Sequence, residues 1–171
     1  MTTTLPPHTL SALKWIVNIL DKNKIPYRIG GGFAARIYGS GRAVNDIDIS
    51  IDGQYFPIIV AETKEYIVEG PQHYLNEKWD CVTLSLNYKG QEIDLTDVNT
   101  LRMTNRDMTE WLWPKDHYRK YPSRKVVIDG IEVSLFDPRD LVAYKKELIC
   151  DEYPYQATDV EAVERYMEKC A

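Results

Sequence analysis

Residues 27–51 read YRIGGGFAARIYGSGRAVNDIDISI and hold the clearest structural signals of the chain. A short strand at the start of this stretch runs into three consecutive glycines. Residues 33–38 then follow as one or two helical turns that end at Gly39. A polar loop over residues 40–45 leads into a second strand at residues 46–51. The stretch therefore predicts a strand, a glycine turn, a short helix and a second strand in immediate succession.

Two acids lie at the start of this second strand. Residues two apart on a strand point the same way, so Asp46 and Asp48 share one face and Ile47 and Ile49 share the other. Neighbouring carboxylates repel each other unless a cation lies between them or water screens them fully. Mg²⁺ prefers oxygen ligands and is usually held by one or two protein carboxylates together with substrate phosphates. The pair predicts a divalent-metal site, and the alternative is a pair of solvated acids on an open sheet face.

A third acid lies on a later strand. Residues 81–86 and 92–96 alternate apolar and polar positions around Lys89-Gly90, which predicts an antiparallel hairpin. On its second strand Asp94 faces away from the apolar Ile93 and Leu95. Asp94 is therefore the natural third metal ligand.

The glycine turn itself allows three interpretations. Glycine amides at the start of a helix suit a phosphate, which favours nucleotide binding. Residues 30–35 also satisfy G-x-G-x-x-A, the fingerprint of a Rossmann-like dinucleotide-binding protein, and Asp48 lies near the distance of its ribose-binding acid. Against this alternative, the stretch before Asp46 is short for a crossover helix, and the later strands pair as hairpins. In the third interpretation the glycines only turn the chain tightly.

The remaining pattern predicts a mixed α/β (α+β) fold. Helices are expected at residues 8–23, 54–67, from 137 onward and 157–169, a second hairpin at 126–135 and a loop with a possible helix at 99–123. The aromatic residues of that loop region, which are candidates for stacking a base or for ordinary packing, are Trp111, Trp113, Tyr118 and Tyr121. We expect a core over residues 1–136, with helices of residues 137–171 packed on it as a single structural unit.

Composition narrows the class of protein. A chain of 171 residues fits one domain with a real core, and a net charge of -5 argues against a dedicated nucleic-acid binder. The three cysteines, Cys81, Cys150 and Cys170, form neither a disulfide framework nor a zinc motif, which favours a reducing, cytoplasmic location. The opening residues lack the pattern of a signal peptide and no apolar run reaches membrane-spanning length. We therefore expect no membrane partner.

Residues 31–49 resemble the signature of the minimal nucleotidyltransferases of the DNA polymerase β superfamily, especially the aminoglycoside and lincosamide nucleotidyltransferases and the nucleotidyltransferase toxins. The resemblance implies a nucleotidyltransferase-like mixed sheet flanked by helices, with a small helical C-terminal part. It implies that Gly31 and Gly32 hold a triphosphate, and that Asp46, Asp48 and Asp94 bind two Mg²⁺ ions, or Mn²⁺ in their place. Two positions depart from the pattern: Gly32 replaces a common serine and Val44 a frequent threonine.

The same resemblance adds contacts outside the central stretch. Arg42 matches an arginine that many members carry before the acids, Lys145 a nucleotide-contacting lysine and Asp159 a late acid, while Ser40 is a candidate phosphate ligand. The implied reaction moves a nucleoside monophosphate from a nucleoside triphosphate to an acceptor hydroxyl, with Asp94 taking the proton and pyrophosphate leaving. The sequence motifs do not identify the acceptor. Charge slightly favours a small molecule over protein or tRNA, for which the local basic patch would be Arg119, Lys120, Arg124 and Lys125. The remaining alternative is a catalytically inactive nucleotide-binding module.

Overall fold

The computed structural model describes residues 4–171, which form a mixed sheet with helices around it. The helices are α1 (Pro7–Lys22), α2 (Gly31–Ile37), α3 (Phe56–Thr63), α4 (Pro114–His117), α5 (Pro138–Glu147) and α6 (Tyr155–Lys169). The strands are β1 (Arg28–Ile29), β2 (Asp46–Ile51), β3 (Ile67–Leu75), β4 (Trp79–Tyr88), β5 (Gln91–Asp97), β6 (Arg102–Thr104), β7 (Trp111–Leu112), β8 (Arg124–Ile128) and β9 (Ile131–Leu135). The predicted mixed α+β fold is confirmed.

The sheet runs in the order β7-β6-β4-β5-β2-β1-β9-β8, and β3 pairs with β4. Strands β2 and β5 are parallel neighbours, as are β1 and β9, whereas the other pairs are antiparallel. The antiparallel pairing of β1 with β2 decides against the dinucleotide-binding alternative. A helical crossover of the Rossmann type joins two parallel strands, and here the helix after the glycines joins antiparallel ones. That alternative is wrong.

The period-two pattern of β2 separates its two faces. Ile47, Ile49 and Ile51 are at most 1% exposed and belong to the main hydrophobic core, while the acids between them are half-buried on the other face. The same core contains Leu13 and Ile16 from the apolar stripe of α1. Burial of one face of β2 therefore fixes its register and holds both acids on the opposite side.

Most predicted elements appear within a few residues of their expected bounds. The first helix, the strand at residues 46–51, both hairpins and both C-terminal helices are confirmed. The helix expected at residues 54–67 is shorter, because residue 67 already belongs to β3. Strand β3 was not predicted, and the expected loop at 99–123 contains the two short strands β6 and β7.

Within residues 4–171, no helix combines the length and the apolar character needed to cross a membrane. Helix α6 packs against α5 and against α2, the helix after the glycines. The C-terminal helices thus contact the element on which the predicted site is built. The boundary at residue 136 stays a prediction.

Candidate active site

The predicted acids meet because β2 and β5 lie side by side. In the parallel register Asp48 is opposite Asp94, and Asp46 is opposite Glu92. One carboxylate oxygen from each of Asp46, Asp48 and Asp94 lies within 4.8 Å of the other two, and all three residues are half-buried. Residues 46 positions apart in the chain thus form one acidic cluster.

The cluster is electrostatically unbalanced. Burial raises the pKa of Asp48 to about 8, helped by the charges of Asp46 and Asp94 and opposed by Lys145. Burial also raises the pKa of Asp46, with added repulsion from Asp94 and Glu92. An oxygen-only donor set with excess negative charge is the environment that Mg²⁺ prefers. The residues present therefore fit a divalent cation.

Asp94 is held in place by a serine that the sequence analysis did not single out. The hydroxyl of Ser85 on β4 donates a hydrogen bond to Oδ1 of Asp94 over 2.6 Å, and the two residues are cross-strand partners in the hairpin. This bond leaves Oδ2 of Asp94 for other contacts. The sequence alone could have predicted this pair, because a two-residue turn at Lys89-Gly90 fixes the hairpin register in which Ser85 lies opposite Asp94.

Gly31 is required by its contact with Asp48. Its φ is +57°, and a Cβ built on it would lie 2.0 Å from Oδ2 of Asp48, so no other residue fits without displacing the acid. The backbone N–H of Gly31 donates to the hydroxyl oxygen of Tyr144 over 2.6 Å. The amide that was expected to contact phosphate therefore already has a partner on α5.

Opposite the acids, one buried carboxylate collects three of the predicted nucleotide contacts. Asp159 on α6 is 0% exposed and accepts hydrogen bonds from Ser40 Oγ at 2.6 Å, from Arg42 Nε and Nη2 at 2.9 and 2.6 Å, and from Lys145 Nζ at 3.0 Å. Burial alone would raise the pKa of Asp159, but the hydrogen bonds from Arg42 and the charge of Lys145 outweigh it and hold the pKa below its ordinary value. On this side the carboxylate is therefore fully paired, and its two cations leave a net charge of about +1.

A single cleft of about 620 Å³ joins the two sides. Its walls include most of the predicted site residues, namely Gly31, Gly32, Arg42, Asp46, Asp48, Asp94 and Lys145. Ser40 is 3% exposed and lies behind Asp159, outside the lining of the cleft. Its hydroxyl supports the carboxylate that holds Arg42 and Lys145.

The cleft also has apolar lining. Trp79, Leu101, Met103 and Tyr118 contribute to it. Of the aromatic residues expected to cluster at 111–121, Tyr118 is the one in this lining. Trp111 and Trp113 are more than a third exposed, and the guanidinium of Arg102 lies over both rings. The cleft therefore offers apolar as well as charged side chains to a ligand.

Neither a protein-family model nor a curated protein sequence matches this chain. Solved structures do match. A candidate nucleotidyltransferase from Thermotoga maritima superposes with a TM-score of 0.68 at 20% identity, over 97% of this chain and 96% of the other. A lincosamide antibiotic adenylyltransferase solved with lincomycin bound gives a TM-score of 0.60 at 10% identity, over 95% and 98% of the two chains.

A third match is the antibiotic-resistance factor ANT(2'')-Ia, with a TM-score of 0.60 at 14% identity over 95% of this chain and 84% of the other. A second structure of that protein holds adenylyl-2''-tobramycin. These matches span nearly the whole length of this chain. The chain therefore has the nucleotidyltransferase fold suggested by its resemblance to the DNA polymerase β superfamily.

Proposed function

We propose that this protein is a Mg²⁺-dependent nucleotidyltransferase that moves a nucleoside monophosphate from a nucleoside triphosphate to an acceptor hydroxyl. The observation that carries the proposal is the meeting of Asp46, Asp48 and Asp94 within 4.8 Å, beside a glycine turn that has no room for a side chain at Gly31. Acids with such mutual repulsion are costly to keep together without a cation. The fold shared with antibiotic nucleotidyltransferases supports the same reaction class.

The step forms one bond and breaks another. The acceptor oxygen attacks the α-phosphorus, the bond from that phosphorus to the bridging oxygen of the β-phosphate breaks, and the electron pair leaves with pyrophosphate. Asp94 receives the acceptor proton at Oδ2, since Ser85 occupies Oδ1. Asp46, Asp48 and Asp94 would hold the metal, as two Mg²⁺ ions or with Mn²⁺ as a substitute. When bound, the metal supplies charge neutralisation and Lewis-acid polarisation of the phosphoryl group.

The nucleotide would occupy the end of the cleft that contains the glycine turn, Arg42 and Lys145. Asp159 fixes the geometry of both cations and reduces their net charge, so they act as oriented hydrogen-bond donors to phosphate or base. Gly32 lets the backbone approach the phosphates closely, while Gly31 makes room for Asp48. Ser40 acts through Asp159.

A small-molecule acceptor is favoured slightly over tRNA or protein. The neighbours with known ligands carry lincomycin and a tobramycin derivative. Two residues of the basic patch expected for tRNA already have partners within the protein. Lys125 Nζ donates a hydrogen bond to Ser134 Oγ over 2.5 Å, and the guanidinium of Arg124 lies 4.0 Å from the carboxylate of Asp137. We also propose a reducing location such as the cytoplasm, since all three cysteines are free.

The test offers each labelled nucleoside triphosphate, with Mg²⁺, to three acceptor pools: aminoglycosides with lincosamides, bulk tRNA, and protein from a cell extract. We expect label in one pool, and none after Asp48→Asn. The exposed acid Glu92, opposite Asp46 but outside the cluster, provides the matched control Glu92→Gln, which should still transfer. Nucleotide and Mg²⁺ binding without label in any pool would instead establish an inactive binding module.

A further inference from the structure

One cation in the cleft differs from Arg42 and Lys145. Arg119 lines the cleft and is half-buried, yet among residues 4–171 no carboxylate oxygen lies within 4.0 Å of its guanidinium. Lys115 also lines the cleft without such a partner, but it is exposed and its charge is solvated. A guanidinium that is partly removed from water without an acidic partner is unusual in a protein, because burial of an unpaired ion is costly.

A single aromatic ring, that of Phe136, lies between Arg119 and the glycine turn. The Arg119 guanidinium carbon lies 5.4 Å from the centroid of the Phe136 ring. Cδ2 of the same ring would lie 3.0 Å from a Cβ built on Gly30. The backbone N–H of Phe136 also donates to the carbonyl of Ile29 over 3.0 Å, which fixes the ring against β1. The unpaired guanidinium is thereby held next to the residues that precede Gly31 and Gly32.

A second guanidinium increases the positive potential. Arg28 lies 5.9 Å from the centroid of Phe136, and within residues 4–171 it too has no carboxylate within 4.0 Å. It donates to the carbonyl of Tyr121 over 2.9 Å. Burial lowers the pKa of Arg119 to about 10, and the charge of Arg28 adds to this effect while Asp140 opposes it. Neither guanidinium has an acid within 4.0 Å among residues 4–171, so this region suits an anion.

The segment that carries Arg119 is anchored before any ligand arrives. Asp140 lies in the first turn of α5 and is 2% exposed. Its carboxylate accepts hydrogen bonds from the backbone N–H groups of Lys120 and Tyr121 at 3.1 and 3.0 Å. These bonds use the Asp140 carboxylate on the backbone and leave the Arg119 guanidinium facing the cleft. A cation on an anchored segment is preorganised for a ligand.

We propose that Arg119, with Arg28 behind it, binds the β- and γ-phosphates of the nucleotide and therefore the pyrophosphate that leaves. The identification of the anion rests on the proposed function. With a pKa of about 10, the Arg119 guanidinium stays charged at neutral pH, and its planar fork suits two oxygens of a polyphosphate. As the bond to the α-phosphorus breaks, negative charge grows on pyrophosphate, which is the charge that Arg119 stabilises.

Inorganic pyrophosphate tests the site directly by titration calorimetry, with and without Mg²⁺. Arg119→Gln should weaken its binding about 10–100-fold, the range for loss of hydrogen bonds to a charged group. Arg119→Lys should fall between, because it keeps the charge and loses the fork. Arg165→Gln removes the same charge from an exposed position on α6 and should leave pyrophosphate affinity unchanged. Equal affinity for Arg119→Gln and the wild type, or an equal loss in Arg165→Gln, would overturn the proposal.

Transfer assays separate this proposal from the proposed function. Arg119→Gln should lower kcat and raise both the KM for the nucleoside triphosphate and the inhibition constant of pyrophosphate, without changing the KM for the acceptor. An effect on the acceptor KM alone would show that Arg119 belongs to the acceptor side. If the wild type transfers nothing but binds pyrophosphate through Arg119, the anion site stands and the proposed reaction fails. Unchanged melting of Arg119→Gln would show that the binding loss does not come from unfolding.

Discussion

The two walls of the cleft solve opposite electrostatic problems. On one wall Asp46, Asp48 and Asp94 lie together, none of them within 4.0 Å of a side-chain cation among residues 4–171, and the pKa values of the first two are raised by burial and mutual repulsion. On the other wall Asp159 is surrounded by Arg42, Lys145 and Ser40, and its pKa is lowered. The acid on one wall is paired within the protein, whereas the three acids on the other are the ones for which we propose a metal.

The glycines divide along the same line. Gly31 contacts the acidic wall, since its missing Cβ is the space that Asp48 occupies, whereas a Cβ on Gly32 would meet the tip of Arg42 at 3.0 Å. Stability and activity are therefore expected to separate. Changes to the acidic wall should remove activity at little cost in stability, and changes to the basic wall should cost stability first.

The largest expected effect is on catalysis. Asp48→Asn should reduce transfer at least about 1000-fold, because it removes a proposed ligand of the metal, which would supply several kcal/mol of charge stabilisation. Without metal the same variant should melt a few degrees higher than the wild type, since the change removes a repulsion and no packing; about 2–4 °C corresponds to 1 kcal/mol in a chain of this size. Transfer assays and metal-free melting curves measure the two. A large loss of stability would show that Asp48 is structural.

Asp159→Asn should have the opposite balance. Breaking a buried ion pair by removing one partner costs about 3–5 kcal/mol, because Lys145, 2% exposed, would be left without its acid. Denaturant unfolding measures the loss. The exposed pair Lys146–Glu164, 2.8 Å apart, is the matched control, and Glu164→Gln should change stability by less than about 1 kcal/mol.

The pH dependence of this difference has a definite sign. Because the folded-state pKa of Asp159 lies below its ordinary value of 3.8, its contribution is fully present above that value and is lost as the pH falls through the folded pKa. The stability gap between the wild type and Asp159→Asn should therefore narrow in strong acid. A gap that stays constant would show that the carboxylate charge is not what Asp159 contributes.

Ligand binding should stabilise the protein through the three acids of the acidic wall. Mg²⁺ with a nucleoside triphosphate should raise the melting temperature more than either alone; at a hundredfold excess over Kd the stabilisation is about 2.7 kcal/mol. The extra shift due to Mg²⁺ should vanish in Asp48→Asn and persist in Glu92→Gln. Thermal melts with each ligand and with both make the comparison. An equal shift with NAD and no Mg²⁺ would contradict the metal site.

The sequence predicted the acidic wall well and the basic wall only by resemblance. Alternation in residues 46–51 and 92–96 placed the three acids on strand faces, and the hairpin turn at Lys89-Gly90 fixed the register. The bonds around Asp159 join residues 14 to 119 positions apart, and no local period encodes such contacts. Strand β3 escaped prediction for another reason: most of its residues are exposed and Gly70-Pro71 interrupts it, so it has no apolar alternation.

The smallest expected effect is that of Gly32→Ser, which restores the serine common in the related family. Gly32 has no positive φ, and the atom nearest to a new Cβ is Nη2 of Arg42 at 3.0 Å, so a shift of a few tenths of an ångström within its hydrogen bonds to Asp159 accommodates it. Replacing glycine in a helix should stabilise the protein by about 0.5 kcal/mol, offset in part by the adjustment of Arg42. Transfer should change only a few-fold, mainly through the KM for the nucleotide.

Gly31→Ala is the matched contrast to this change. It forces a positive φ of +57° on a residue with a side chain and places that Cβ 2.0 Å from Oδ2 of Asp48, so it should displace the acid and abolish transfer. Melting curves and nucleotide KM values for both variants decide the point. If Gly32→Ser were as damaging as Gly31→Ala, Arg42 would be rigidly fixed by Asp159, and the two walls would be a single unit.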